Sequence, residues 1–140
     1  MNDQREFSWP VRVYWEDTDA GGIVFYANYL RFFERARTEW LRSLGIHQRE
    51  LRERSGGMFV VGAAALDYQR PARLDDRLEV MARVAELGRA SLALEQQAWL
   101  LEGDERTHLL CAGRIRIGWV DAARMKPARI PNAILQLLTP

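Results

Sequence analysis

The segment from Asn28 to Leu44 limits the possible folds more than any other, because it reads as one long helix with an aromatic stripe. Its apolar residues recur every three or four positions, which is the spacing of one helix face. The stripe consists of Tyr29, Phe33, Ala36, Trp40 and Leu44, widened by Leu30, Phe32 and Leu41. Asn28 is a predicted N-cap and Gly45 a predicted stop. Such a helix is about 25 Å long at 1.5 Å per residue, so a large apolar surface must cover it.

Charged residues are interleaved with this stripe and predict a solvent-facing side of the same helix. They mix both signs: Glu34, Arg35, Arg37, Glu39 and Arg42. The whole chain of 140 residues has a formal net charge of only +1. Binding to nucleic acid requires clustered positive charge, so this balance argues against a nucleic-acid partner.

The rest of the chain predicts strands that can supply the covering surface. Val11, Val13 and Trp15 alternate with polar residues, as in a strand with two different faces. Later strands are predicted at Met58–Gln69, Leu78–Ala85, Ser91–Leu101 and Leu109–Val120, with a short helix before them at Gln48–Arg54. The tail predicts an extended segment at Met125–Pro131 and a helical turn at Ala133–Leu138. Because the links are short, neighbouring strands are expected to be antiparallel. The prediction is a single α+β domain over residues 1–140, with a long antiparallel sheet wrapped around one central helix.

The cysteine content and the lengths of the apolar runs limit the class of protein further. Cys111 is the one cysteine and lies in an apolar stretch, so we expect a buried thiol with neither a disulfide nor a metal site. Residues 1–6 are polar and predict no signal peptide. The longest apolar run, Met58–Leu66, is far shorter than the roughly 20 residues of a membrane helix. We therefore expect a soluble, intracellular protein without membrane insertion.

The turn between the first strand and the long helix carries the most specific pattern. It reads Asp17-Thr18-Asp19-Ala20-Gly21-Gly22, and Tyr26 and Asn28 follow where the helix begins. Matching segments continue at Phe33–Glu39, Pro71–Asp76 and Met125–Pro127. Together they resemble the 4-hydroxybenzoyl-CoA thioesterase family, most closely its Tol–Pal-associated acyl-CoA thioesterase branch. The resemblance covers nearly the whole chain and implies the hotdog fold.

The same resemblance implies a set of site residues. Asp19 matches the catalytic carboxylate, the backbone N–H of Tyr26 matches the donor to the thioester oxygen, and Glu34 matches a supporting acid. The implied substrate-binding residues are Gly57, Met58 and Phe59 in the acyl pocket, with Arg89 and Ser91 at the phosphates of coenzyme A. Many members of the branch carry histidine where this chain has Tyr26, so the acyl preference stays open between short-chain and aryl groups.

Elementary chemistry is consistent with this set of residues. A carboxylate can attack a thioester as a nucleophile or activate water as a base, and the sequence does not choose between the two. The first N–H groups of a helix have no partner within it and carry partial positive charge, which suits a developing oxyanion. A thiol with a pKa of about 8.5 can leave as the thiolate, so no general acid is required. The chain also has no Gly-x-Ser-x-Gly element of the kind found in serine esterases.

Other functions and partners follow from the resemblance as expectations. A non-catalytic module that binds acyl-CoA or acyl carrier protein is the alternative, whereas a dehydratase is disfavoured because residues 1–45 contain no histidine. No cofactor is expected beyond the coenzyme A of the substrate. The family assembles as dimers or tetramers with sites at the dimer interface. A cytoplasmic location, possible contact with the inner face of the membrane, and acyl carrier protein as a partner are also implied.

Overall fold

A curled antiparallel sheet packs against one long helix in the computed structural model, which describes residues 6–139. The elements are β1 (Phe7–Arg12), α1 (Tyr29–Ser43), α2 (Gln48–Ser55), β2 (Gly57–Tyr68), β3 (Arg77–Leu87), β4 (Ser91–Glu102), β5 (Glu105–Asp121), β6 (Lys126–Pro127) and α3 (Asn132–Leu138). The strand order is β1-β3-β4-β5-β2, and β6 pairs with the end of β5. This confirms the predicted α+β hotdog architecture. Residues 1–5 and 140 of the predicted domain lie outside the described residues.

The sheet covers the aromatic stripe of α1, as the helical pattern predicts. The buried residues of α1 in the core are Tyr29, Phe32, Phe33, Ala36, Trp40 and Leu41. Alternate residues of the strands meet them, among them Leu78, Val80, Leu92, Leu94, Ile115 and Ile117. Leu30 was expected to widen the stripe, but it lies on another side of α1 and is 40% exposed.

Arg37 corrects the expectation that the charged residues of α1 all face solvent. It is only 7% exposed, and its Nη1 donates a hydrogen bond to Oε1 of Gln96 at 3.0 Å. Gln96 Nε2 in turn donates to the carbonyl of Phe33 at 3.0 Å. A buried polar group needs such partners, so this chain of bonds ties the middle of α1 to the middle of β4.

The predicted first strand was wrong in its position. β1 covers Phe7–Arg12, whereas Trp15 begins a 3₁₀ turn and is 78% exposed. Pro10 fits within β1 because this strand is at the edge of the sheet, where a missing N–H removes no ladder bond. The sheet therefore uses Phe7 and Trp9 ahead of Val11, and the chain leaves it before Trp15.

The helix ends also show where local signals hold and where they fail. Gly45 ends α1 with a φ of 84°, as a glycine stop predicts. Asn28 makes no capping hydrogen bond, and the residues before α1 form a 3₁₀ turn at Tyr26–Asn28. Asn28 therefore occupies the predicted N-cap position without capping the helix, because its side-chain amide donates to Asp17 instead.

The remaining elements agree with the predicted ones to within a few residues. The second helix, the four long strands, the extended tail and the terminal helix all lie where the patterns place them. Among residues 6–139, no helix combines the length and the apolar character needed to cross a bilayer.

We predict that Gly113→Ala lowers the free energy of unfolding by about 1–3 kcal/mol, because it overpacks the core. A Cβ at this position would lie 2.6 Å from Leu66 Cδ2 and 2.8 Å from Phe33 Cε2. Urea denaturation followed by circular dichroism measures the change. Gly118→Ala, in the same strand, is the matched control because the nearest atom to its Cβ would be 3.9 Å away. Equal unfolding midpoints for the two variants would contradict the packing described here.

Candidate active site

The segment between β1 and α1 folds into a small hairpin, which we call the hairpin loop (residues 17–28). An isolated bridge pairs Thr18 with Val24. The N–H of Asp19 donates to the carbonyl of Ile23 at 2.9 Å, and the N–H of Phe25 donates to the carbonyl of Asp17 at 2.9 Å. A second bridge joins Ile23 to Arg73. The turn residues of the sequence motif therefore form a defined loop that is attached to the segment before β3.

Asp19 lies on the exposed arm of the hairpin loop. Its carboxylate Oδ1 accepts the N–H of Gly21 at 2.8 Å, which is an Asx-type turn. Its own carbonyl accepts the N–H of Gly22, whose φ is 79°. Because Ala20, Gly21 and Gly22 follow it, little side-chain bulk stands between this carboxylate and a ligand.

Tyr26 is the first residue of the 3₁₀ turn that leads into α1, so its backbone N–H has no partner within that turn. Within residues 6–139, this N–H has no hydrogen-bond acceptor. The side chain of Tyr26 is 64% exposed, and its carbonyl accepts the hydroxyl of Tyr68 at 2.9 Å. The structure thus leaves this donor available, as expected for the first N–H groups of a helical segment.

Two buried side chains close the base of the hairpin loop. Asp17 is 2% exposed and Asn28 is 6% exposed. Asp17 Oδ1 accepts Nδ2 of Asn28 at 2.9 Å, and Oδ2 accepts the N–H of Tyr14 at 2.8 Å. Asp17 therefore bonds both to the backbone before the hairpin loop and to the residue at its far end.

A cavity of about 290 Å³ adjoins the hairpin loop, and we call it the tyrosine cavity. Its lining consists of Ile23, Val24, Tyr26, Tyr29, Tyr68, Gln69, Arg70 and Pro71. Burial raises the pKa of Tyr29 to about 12, so its hydroxyl stays protonated while it accepts the N–H of Ala72. Asp19 is not one of the lining residues, but it bonds directly to Ile23, which is.

A second cavity of about 350 Å³ lies between α1 and the first half of β2, and we call it the helix–strand cavity. Its lining consists of Glu34, Arg37, Thr38, Leu41, Gln48, Phe59, Val60, Val61 and Ile117. The structure therefore brings together Glu34 and Phe59, two of the residues implied by the resemblance. Gly57 and Met58 are not in this lining, and Gly57 lies directly beneath the ring of Trp119.

Charged and apolar groups share the walls of the helix–strand cavity. Burial lowers the pKa of Arg37, and the nearby carboxylate of Glu34 opposes that shift. Gln48 Nε2 donates to the hydroxyl of Thr38 at 3.3 Å on the same wall. Phe59 packs edge-on against Trp119 and supplies the apolar side. The cavity can therefore hold an apolar group while offering hydrogen bonds at one end.

Arg89 and Ser91 lie at the turn between β3 and β4. Arg89 is exposed, and the hydroxyl of Ser91 accepts Nη1 of Arg116 at 3.1 Å. Ser91 on β4 and Val60 on β2 both pair with Gly118 on β5, one from each side. The turn and the helix–strand cavity are therefore separated by two strand spacings, or about 10 Å. This corner carries positive charge near the cavity, as a phosphate site requires.

The sequence did not predict several residues that line the helix–strand cavity together with Glu34 and Phe59. Arg37, Thr38 and Leu41 follow Glu34 at helical spacing, and that spacing was the available signal. Val61 and Ile117 reach the same cavity because they pair across β2 and β5, which no local pattern reveals. The two cavities contact opposite ends of β2, the helix–strand cavity at Val60 and the tyrosine cavity at Tyr68. At a rise of about 3.3 Å per residue, they lie roughly 25 Å apart within one copy of the chain.

Comparisons with known proteins agree with the architecture. Residues 13–138 match the family model described as the thioesterase-like superfamily. The chain is 44% identical over 128 residues to "Acyl-CoA thioesterase YbgC" of Haemophilus influenzae, covering 91% of this chain and 90% of that protein. A probable thioesterase from Bartonella henselae has a TM-score of 0.78 at 34% identity, covering 90% of this chain and 99% of that one. A 4-hydroxybenzoyl CoA thioesterase solved with 4-hydroxybenzoyl CoA has a TM-score of 0.88 at 19% identity, with 96% and 99% covered, and shows the fold.

We predict that Cys111 does not react with thiol reagents in the folded protein. Its side chain is fully buried, and burial, with a smaller effect of Asp67, raises the pKa of the thiol to about 12. At pH 8 the thiolate fraction is then about a thousandfold lower than for an ordinary cysteine. Labelling with a chromogenic disulfide should be slow in buffer and complete in guanidinium chloride. Rapid stoichiometric labelling of the native protein would contradict the burial of this side chain.

Proposed function

The chain belongs to the thioesterase-like superfamily, and from that premise we propose that it hydrolyses acyl-CoA thioesters to a free acid and coenzyme A. Asp19 supplies the carboxylate that starts the reaction. The N–H of Tyr26 donates to the carbonyl oxygen as negative charge develops there. Curated relatives such as the Haemophilus influenzae protein, named as an acyl-CoA thioesterase, support this reaction class.

One observation carries the proposal: an exposed carboxylate and an unpaired backbone N–H lie on one hydrogen-bonded loop. The ladder from Asp17 to Phe25 fixes the arm that bears Asp19 against the arm that leads to Tyr26. Donors that are already in place do not need to reorganise when charge develops. A single donor of this kind contributes roughly 3 kcal/mol in acyl-transfer enzymes.

The carboxylate of Asp19 can cleave the thioester by either of two routes. In one, the carboxylate of Asp19 attacks the thioester carbon and forms an anhydride that water then cleaves. In the other, it removes a proton from water as that water attacks. Both routes break the carbon–sulfur bond and release coenzyme A as a thiolate, which needs no acid because its pKa is about 8.5.

We propose short-chain or aryl acyl groups as the substrates. The two cavities of about 290 and 350 Å³ are at the small end of ligand pockets, and tyrosine, phenylalanine and aliphatic side chains line them. Glu34, which lines the helix–strand cavity, acts on the far end of the acyl group or on water in this proposal. Phe59 packs against the acyl group, Gly57 and Met58 support the same wall, and Arg89 and Ser91 hold the phosphates.

A dimer through β2 would unite the two cavities, and we propose that assembly. β2 is an edge strand whose residues 61–65 are exposed, and an open edge of this kind pairs readily with another strand. A two-fold pairing centred on Ala64 places Val60 of one copy opposite Tyr68 of the other. The helix–strand cavity of one copy then faces the tyrosine cavity and hairpin loop of its partner. The complete site would therefore contain residues of both copies.

A tetramer, a cytoplasmic location, contact with the inner face of the membrane, and acyl carrier protein as a partner stay predictions that rest on the resemblance. Coenzyme A enters as part of the substrate, and the proposed steps use no other cofactor.

We predict that Asp19→Asn reduces the rate of thiol release from acyl-CoA by about 10²–10⁴-fold, because an amide cannot act as nucleophile or base. A screen of short-chain, long-chain and aryl acyl-CoA with a chromogenic thiol reagent measures the rate. Buried Cys111 should add little to the colour.

Asp104→Asn is the matched control for this variant, since Asp104 is exposed in the turn between β4 and β5. Its rate should equal that of the wild type. Equal rates for Asp19→Asn and the wild type would remove Asp19 from the mechanism. A wild type that binds acyl-CoA but turns none over would favour the binding module.

We predict that Ala64→Lys yields a monomer with reduced thiol release. In the proposed pairing the two introduced ammonium groups would lie directly opposite each other, and like charges in that position repel. Light scattering measures the mass, and circular dichroism checks the fold. Ala133→Lys, at an exposed position of α3, is the control and should stay a dimer. A wild type that is a fully active monomer would refute the shared site.

A further inference from the structure

We propose that Asp17 and Asn28 are a positioning pair that holds Asp19 and the N–H of Tyr26 in register for the reaction. This inference rests on the proposed function, since it assigns a role to two residues that support the proposed site. Neither side chain needs to touch the substrate. Each acts through the backbone that bears a reacting group.

The pair closes the hairpin loop at its base. Asp17 stands two residues before Asp19, and Asn28 stands two residues after Tyr26. The bond from Asn28 Nδ2 to Asp17 Oδ1, at 2.9 Å, joins the two arms directly. The carbonyl of Asp17 also accepts the N–H of Phe25, the residue immediately before Tyr26. Two bonds from one residue thus fix the arm that presents the N–H.

The carboxylate of Asp17 is buried and depends on a small number of specific hydrogen-bond donors. Asp17 is 2% exposed, and among residues 6–139 no cationic nitrogen lies within 4.0 Å of its carboxylate. Its charge is met by two N–H donors, the backbone of Tyr14 and the amide of Asn28. Losing either donor leaves a buried carboxylate short of a partner, which is a costly state. The loop is expected to shift in response.

The direction of the effect follows from how acyl transfer depends on geometry. A displacement of 1 Å in a reacting group can cost about 10²-fold in rate without weakening binding of the rest of the substrate. Coenzyme A binding uses other residues in the proposed site, namely Arg89 and Ser91. Changes at the pair should therefore lower kcat while KM and the affinity for an unreactive ligand stay nearly constant.

The first test is Asn28→Ala in the full-length protein. We expect kcat to fall about 30- to 100-fold, with KM changed less than about threefold. The Kd of a thioether analogue of acyl-CoA, in which a methylene group separates sulfur and carbonyl, should also change less than threefold. If the role of Asn28 were purely structural, the substitution would weaken binding of the analogue and lower kcat in parallel. Asn132→Ala, at the exposed start of α3, is the matched control and should behave as the wild type.

The second test exchanges the two side chains. Asp17→Asn alone places an amide between two N–H donors, and Asn28→Asp alone places two carboxylates side by side. In the double variant Asp17→Asn/Asn28→Asp, the amide at position 17 can accept the N–H of Tyr14 through its oxygen. Its nitrogen can then donate to the carboxylate at position 28. We expect the double variant to recover at least tenfold in kcat over each single variant.

The outcomes separate this inference from the proposed function. A wild-type kcat for Asn28→Ala, or an exchange variant no better than the single variants, would overturn the positioning role even if Asp19→Asn lowers turnover as predicted. An exchange variant that does not fold would overturn it as well, since the pair would then not be interchangeable. Full activity of Asp19→Asn would instead refute the proposed function, whatever the pair does.

Discussion

Covering the aromatic face of α1 is the constraint on which the rest of the molecule depends. Tyr29, Phe33 and Trp40 cannot face water along the length of that helix, so the long strands curl over it. The bond chain from Arg37 through Gln96 to Phe33 then fixes the middle of α1 on the sheet. With α1 fixed, the hairpin loop before it has a defined anchor. The rigid core thus sets where the exposed carboxylate and the free N–H can lie.

Much of the fold could be predicted from the sequence because its patterns are long and regular. The stripe of α1 repeats the helical period and the strands of 11–17 residues repeat the strand period many times, and each repeat strengthens the assignment. β1 was misplaced because Trp15 continues the alternation of Val11 and Val13 although it lies in a 3₁₀ turn. The burial of Arg37 was also missed, since its partner Gln96 lies on a distant strand. Only the tertiary structure could reveal that contact.

The sequence could suggest candidate site residues but not how they are arranged in space. The resemblance implies roles for Asp19 and Tyr26, and both residues lie on one loop in which the N–H of Tyr26 has no acceptor among residues 6–139. The helix–strand cavity combines α1, the start of β2 and Ile117, which are far apart in sequence. Asn28 was expected to cap α1, yet the local signal for a cap also fits a side chain that reaches back to Asp17. Whether the side chain of Asn28 caps the helix or bonds to Asp17 depends on which hydrogen-bond partners the tertiary structure brings near it.

A crystal structure with the thioether analogue bound tests the central claim most directly. The account predicts the analogue's carbonyl oxygen at about 2.7–3.1 Å from the nitrogen of Tyr26, as for other oxyanion donors. It also predicts a carboxylate oxygen of Asp19, or a water bound to it, about 3–3.5 Å from the carbonyl carbon. An analogue whose carbonyl lies away from the hairpin loop, or contacts neither group, would contradict the account.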